Sequence, residues 1–275
     1  MTNPKRTLMT MAVIVAAGLA LSGCTSASSA PAVDNTLDTI TAGTLRVGVT
    51  ADSKPYAYTE NGQIKGFDVD LATEVAKRLD LKSEFVAQEF SALIPAVANG
   101  QFDMAAASTS DTEERRKTVD FSDHYFIGYI TVLAAKSAGI TDDVKTLAGK
   151  RLGIIQGTLQ DSYAQDHFTG AELVRFPDNN SAIAALKAGT IDAHFLDYPV
   201  AQDYAAADPN KSLEIAINIE VPEYPVGFPI KKGNDVLRKA INGALKDIIA
   251  DGTWLKIETS YFPDQPVSDQ FKPVK

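Results

Sequence analysis

Apolar positions along this chain fall into short runs of strand length that alternate with stripes at helical spacing, the pattern of an α/β protein. Residues 45–49, LRVGV, make a first buried run. Residues 66–79 follow with Leu71, Ala72, Val75, Ala76 and Leu79 on one helical face. Asp68 and Asp70 stand at the start of that helix and Lys77 and Arg78 at its end, the charge order that complements a helix dipole.

The stretch 90–125 organises the rest. Leu93, Ile94 and Val97 predict a helix that Ser91 can cap and Gly100 can end, with Pro95 tolerated near its start. The run 102–107 reads as a strand interrupted only by Asp103, and it ends in Ser108, Thr109 and Ser110. Ser110 stands three before Glu113, the spacing of a capping box, which predicts a second helix carrying Arg115. Helix amides, hydroxyls and a guanidinium converging at a strand end make a receptor for a small carboxylate, because an arginine fork matches two oxygens. The plain alternative is that Arg115 and Arg116 are solvated helix charges paired with Glu113 or Glu114.

The second half repeats the rhythm. It predicts a strand at 152–155, a turn at Gln156-Gly157-Thr158 and a helix to about 168. Then come a helix at 180–188, a strand at 191–196, a helix at 198–207 and a strand at 213–217. Asp197 ends its strand, where it can cap the next helix or receive a ligand ammonium. Residues 98–105 and 187–194 echo each other, each leaving a helix through a glycine and entering a strand through an aspartate, which points to two similar α/β units with ligands met at the strand ends. Prolines 222, 225 and 229 punctuate a crossing segment before a long amphipathic helix over 236–249 and a shorter one over 254–261.

Composition narrows the setting. The chain has 275 residues, 45% hydrophobic and 22% charged, enough for more than one packed domain, and its net charge of −9 argues against nucleic acid as a partner. Lys5 and Arg6 precede an uncharged apolar run at 8–21, the form of a signal peptide over 1–23. Leu21-Ser22-Gly23-Cys24 resembles the bacterial lipobox, in which the cysteine becomes the lipidated first residue; this is the only cysteine of the chain, so no internal disulfide is available. Residues 24–37 read as a tether. No later apolar stretch is long enough to span a membrane, and the three histidines show no metal-ligand spacing, so neither metal nor cofactor is expected.

Gly66-Phe67-Asp68-Val69-Asp70-Leu71, Leu93-Ile94-Pro95-Ala96, Thr112-Glu113-Glu114-Arg115, Asp120-Phe121-Ser122-Asp123, Gln156-Gly157-Thr158 and Asp251-Gly252-Thr253-Trp254, in that order, resemble family 3 of the bacterial extracellular solute-binding proteins, the polar amino-acid receptors of ABC importers. The resemblance implies an α/β, two-lobed periplasmic-binding-protein-like fold of type II, with a ligand cleft between lobes joined by two hinge strands. Lobe 1 would take 38–127 and 225–275, and lobe 2 would take 128–224. Carried over by position, Arg115 would hold the ligand carboxylate with Ser110, and Asp197 the ammonium with Ser108. Thr158 would add a hydrogen bond and Phe90 would pack on the ligand side chain, with Ser53, Tyr56 and Leu159 completing the lining.

Ser53, Thr50 and Leu159 depart from the family's usual residues. With Ile155 and Leu196 they favour a neutral side chain, since an unpaired charge is costly in an apolar wall. The implied role is non-enzymatic capture of a free amino acid by a monomer, anchored outside the cell membrane through Cys24 and delivering to a permease with a cytoplasmic ATPase. The rival is a cyclohexadienyl dehydratase on the same scaffold, which needs an acid or base poised in the cleft; Glu89, Lys54 and His194 are the candidates, His194 being mid-strand and better read as packed.

Overall fold

One strand order is built twice. The computed structural model describes residues 35–221, 224–263 and 265–273. The expected signal peptide, the lipidation of Cys24 and the tether as far as residue 34 lie outside the described residues, as does Pro222.

The first lobe begins with β1 (Thr44–Val49), then a small antiparallel sheet of β2 (Asp52–Ser53), β3 (Ala57–Glu60) and β4 (Gln63–Lys65). It continues through α1 (Phe67–Arg78), β5 (Lys82–Ala87), α2 (Phe90–Ala98), β6 (Met104–Ala105), α3 (Glu113–Arg116) and β7 (Val119–Phe121). The second lobe holds β8 (Tyr129–Ala135), β9 (Arg151–Ile155), α4 (Leu159–His167), β10 (Glu172–Phe176), α5 (Asn179–Lys187), β11 (Ala193–Asp197), α6 (Tyr198–Ala206) and β12 (Leu213–Glu220). The chain then returns to the first sheet with β13 (Pro229–Lys231) and adds α7 (Asp235–Ala250) and α8 (Thr253–Tyr261).

The sheets run β5-β1-β6-β13-β7 and β10-β9-β11-β8-β12. In each, a central strand lies parallel to two neighbours, and a crossing strand adds antiparallel pairs beyond. The sequence echo is real at atomic level. Asp103 Oδ2 accepts the amide of Arg46 at 2.7 Å, and Asp192 Oδ2 accepts the amide of Arg151 at 2.8 Å. Each aspartate returns its own amide to that arginine's carbonyl, 2.8 Å away in both lobes. The same strands carry Gly48 and Gly153. A Cβ at Gly48 would meet the Phe102 ring at 2.6 Å, and one at Gly153 would meet Ile191 Cδ1 at 2.5 Å, so each lobe presses an apolar side chain onto bare backbone at the equivalent place.

Aromatic packing anchors the crossing. Tyr125 stacks on Phe228 with ring centroids 4.3 Å apart, and Trp254 Nε1 donates to the Tyr125 carbonyl at 2.9 Å. The residue before the outgoing crossing is thereby tied to the residue after the return. Val226 bridges both Ser110 and Phe126, which knits the two crossings together.

Several sequence expectations need correction. The strand expected over 102–107 is only Met104–Ala105 in the ladder, because the chain turns at Ser108, which has φ 44°. The helix bearing Arg115 is a single turn, capped by Thr112 Oγ1 and not by Ser110. Helix α2 has Glu89, not Ser91, at its N-cap position, and Pro95 lies inside it. The hydrophobic pattern also missed β5, β8 and β10, which pair beside the strands it found.

Candidate functional site

Strand ends of both lobes open on one cleft of about 650 Å³, a size suited to a small ligand. Lobe 1 contributes Ser53, Tyr56, Phe90 and Ser108, and lobe 2 contributes Thr158, Gln160 and Asp197.

The bend at Ser108 is held from below. Asp68, in the first turn of α1 and fully buried, accepts the Ser108 amide at 2.6 Å and the Tyr125 hydroxyl at 2.9 Å. Those bonds fix a left-handed conformation that a non-glycine residue rarely adopts, and they point the chain from β6 toward α3. Burial still pushes the Asp68 carboxyl up to about 7, against the pull of its hydrogen bonds.

Arg115 is half-buried beside the cleft. Nη1 donates to the Ser110 carbonyl at 2.7 Å and Nη2 to the Gly157 carbonyl at 3.1 Å, across the gap between lobes. Its Cζ lies 5.3 Å from the centre of the Phe90 ring, a cation–π distance. The remaining guanidinium donors meet no protein acceptor among the described residues. Burial lowers the group to about 10, with the Asp197 and Asp111 charges opposing, so it stays charged at neutral pH.

Asp197 faces it from the end of β11. The side chain does not cap α6; Oδ1 instead accepts Gln160 Nε2 at 2.8 Å. Burial raises the carboxyl to about 6, while the Gln160 bond and the Arg115 charge pull it down. A cation and an anion thus stand near each other at one small cleft, the electrostatic mould of a zwitterion.

The other expected residues divide. Phe90, Ser53, Tyr56, Ser108 and Thr158 line the cleft, as do Ile155 and Leu196. Tyr56 forms floor more than wall, 2% exposed with its ring edge-on to Phe126. Thr158 has little left to give: its hydroxyl donates to the Ile155 carbonyl at 2.7 Å and accepts the Asp161 amide at 3.2 Å as the cap of α4. Leu159 is a correction, since it packs against the second lobe's core instead of lining the cleft. Ser110 and Arg115 both stand outside the cleft lining, and the Ser110 carbonyl holds Arg115 beside it.

Of the three acid–base candidates, Glu89 lines the cleft. Lys54 is paired with Asp203 at 3.0 Å, outside the cleft lining. His194 is fully buried, its ring nitrogens 2.9 Å from the Gly153 carbonyl and 3.0 Å from Asn179 Oδ1, and burial lowers it to about 4.

Sequence reasoning passed over Asp52, Gln160, Asp178 and Asn179, all in the cleft wall. The polar triplet Asp178-Asn179-Asn180 between a strand and a helix was the available signal, by the same rule that picked out Ser108. Gln160 had none, because its role depends on the turn of α4 that carries it to Asp197.

The family model for "Bacterial extracellular solute-binding proteins, family 3" matches residues 45–264. The histidine-binding periplasmic protein of Escherichia coli (strain K12) is 31% identical over 231 residues, covering 79% of this chain and 87% of that protein. An ancestral arginine-binding protein solved bound to glutamine is 35% identical with a TM-score of 0.77, over 81% of this chain and 99% of that one. An ancestral amino acid-binding protein described as a precursor of cyclohexadienyl dehydratase is 35% identical with a TM-score of 0.72, over 80% and 95%. Both the matched span and the two-lobed type II architecture lead to one conclusion: the chain belongs to family 3 of the bacterial extracellular solute-binding proteins.

Proposed function

We propose that this protein is the ligand-capturing receptor of an amino-acid ABC importer and that it holds the α-carboxylate of an L-amino acid at Arg115 and the α-ammonium at Asp197. The observation that carries this reading is that Asp197 lines a cleft built from both lobes and Arg115 stands at its edge within electrostatic reach, each with hydrogen-bonding capacity unspent. Ser108 assists at the ammonium and Phe90 covers the ligand side chain. Capture makes and breaks no bond; the ligand stabilises the closed form by its additional affinity for it. Lobes at 38–127 with 225–275 and at 128–224, joined at the two crossings, would move as the rigid halves of that closure.

The side chain is better cationic than neutral. Asp52 and Glu89 of lobe 1 and Asp178 of lobe 2 line the cleft with Asp197, and the one cation beside them, Arg115, is assigned to the α-carboxylate. Asp52 and Asp178 are engaged with α5, while Glu89 has no protein partner among the described residues. A cationic end near Glu89 lowers the cost of that negative wall; a second carboxylate raises it. The leaning to a neutral ligand came from Ser53, Thr50 and Leu159 with Ile155 and Leu196, read without these acids.

Monomeric action, delivery to a permease with a cytoplasmic ATPase and anchoring through a lipid on Cys24 complete the proposal. The test is thermal unfolding of residues 34–275 with each common L-amino acid in excess and with prephenate. Ligand at a hundred times its dissociation constant adds about 2.7 kcal/mol, a clear shift in midpoint. Arginine, lysine or histidine should shift it most; turnover of prephenate would overturn the receptor reading.

A further inference from the structure

The wall opposite Arg115 contains a chain of contacts that no ligand role explains. Asn179, the first residue of α5, is engaged on three sides. Its amide donates to Asp52 Oδ2 of the first lobe at 2.5 Å. Its side-chain amide lies 3.1 Å from Ser53 Oγ, also of the first lobe, and 3.0 Å from His194 Nε2 beneath it in the second. His194 Nδ1 in turn meets the Gly153 carbonyl at 2.9 Å. Tyr204 adds a further tie, its hydroxyl 3.1 Å from the Asp52 carbonyl.

Donor arithmetic orders this network. A carbonyl only accepts, so His194 carries its proton on Nδ1, and Nε2 of the neutral ring is an acceptor. The Asn179 amide must then turn its NH2 toward Nε2, which leaves its carbonyl oxygen for the Ser53 hydroxyl, whose one proton turns to it from Asp52 Oδ1, 3.3 Å away; the two amide ends are alike in shape and exchange in place. Donation runs one way, from Ser53 of one lobe through Asn179 and His194 to Gly153 in the middle of the other lobe's sheet. Asn179 and His194 are 8% and 0% exposed, so the steps through His194 are made away from water, while the Ser53 step is part-buried. Asp52 adds a carboxylate from the opposite lobe to the positive end of α5, a nine-residue helix whose own cap, Asp178, is spent on Ser181.

We propose that His194 and Asn179 are a positioning pair that presents the first turn of α5 to Asp52 and Ser53, and so sets how long the cleft stays closed over its ligand. Neither residue needs to touch the ligand. The contacts from Asn179 to Asp52 and Ser53 exist only when the lobes meet, whereas Asn179–His194–Gly153 is internal to lobe 2 and persists when they part. The inference rests on the receptor reading above.

Stopped-flow binding and release of the best ligand from the thermal panel test it, in the wild-type protein, Ser53→Ala, Asn179→Ala and the double variant. Losing a bond made only on closure should raise the dissociation rate and Kd together by about 5- to 30-fold with the association rate unchanged. The double variant should lose no more than Asn179→Ala alone, because the two residues share one contact. His194→Gln, which keeps an acceptor toward Asn179, should retain most of the residence time that His194→Leu loses. The unliganded midpoint of Ser53→Ala should match wild type, which separates closure from folding, while that of Asn179→Ala should fall because the buried His194 ring loses its partner within lobe 2. Unaltered release in Asn179→Ala, or additive losses in the double variant, overturns the clasp alone. Wild-type protein that binds no amino acid overturns the receptor reading and the clasp with it.

Discussion

Arg115 reaches across the cleft to the carbonyl of Gly157, 3.1 Å away, so the cation proposed to hold the ligand carboxylate also touches the opposite lobe. A side chain that can serve both partners couples capture to closure. Arg115→Ala should therefore weaken amino-acid binding by about 2–5 kcal/mol, most of it as faster release. Arg115→Lys should recover little, since a point charge cannot span Ser110, Gly157 and a carboxylate in one plane. Titration calorimetry of both variants measures this, and circular dichroism checks that the single-turn α3 still forms.

Acidity should weaken binding before it unfolds the protein. Asp197 stands at about 6 in the unliganded cleft, and a ligand ammonium favours its ionised form. Below that value a proton must leave for the ammonium to bind, so Kd should rise toward tenfold per pH unit. Binding at pH 5 should release close to one proton, seen as a buffer-dependent enthalpy. In Asp197→Asn the pH dependence should flatten over pH 5 to 7 while affinity stays low throughout.

Stability should move the other way with pH. Asp68 is raised to about 7 by burial, so the folded state holds a proton that the unfolded chain releases near pH 4. Its contribution to stability is therefore greatest at low pH, falls as pH rises from about 4 to 7, and is flat beyond. Asp68→Asn should remove part of that slope. Asp68→Ala should remove the slope too and cost most at low pH, about 2–4 kcal/mol, because the Ser108 amide and the Tyr125 hydroxyl would both be left buried without acceptors. Chemical denaturation at pH 4.5, 6 and 7.5 separates the two variants.

The repeat makes a paired prediction. Gly48→Ala and Gly153→Ala each drive a methyl into an apolar side chain at under 3 Å, Phe102 in one lobe and Ile191 in the other. Each should destabilise by about 1–3 kcal/mol, by overpacking at equivalent places. Restoring room with Phe102→Leu or Ile191→Val should recover part of the loss in its own lobe and none in the other, read by denaturant midpoints.

Much of this was legible in the chain because its signals are local. Helices α1, α5, α7 and α8 carry apolar stripes within their own spans, and β1, β9 and β11 are apolar runs that end at polar residues, so the strand ends marked the site. Strand β5, with alternating exposure in KSEFVA, and β10, in ELVRF, show weak patterns that make sense only beside a central strand already in place. Ser110 was misplaced as the cap because it is held in a bridge to Val226, over a hundred positions away, a pairing no local spacing encodes, and Thr112 caps the helix instead. Leu159 looked like lining because it follows the turn, yet the pitch of α4 turns it inward and gives the cleft to Gln160. Asp52, Asp178 and Asn179 form one wall only through closure, and no local spacing encodes that.

The zwitterion site is tested most directly by blocking one end of the ligand at a time. The amino acid giving the largest thermal shift should be titrated calorimetrically against residues 34–275 beside its C-terminal amide and its N-acetyl derivative. The account predicts that only the free amino acid binds tightly, that each blocked form loses about a hundredfold or more, and that Arg115→Ala abolishes the difference between acid and amide while leaving the penalty for N-acetylation. Blocked forms that bind as well as the free amino acid, or an acid–amide difference that survives in Arg115→Ala, would contradict it.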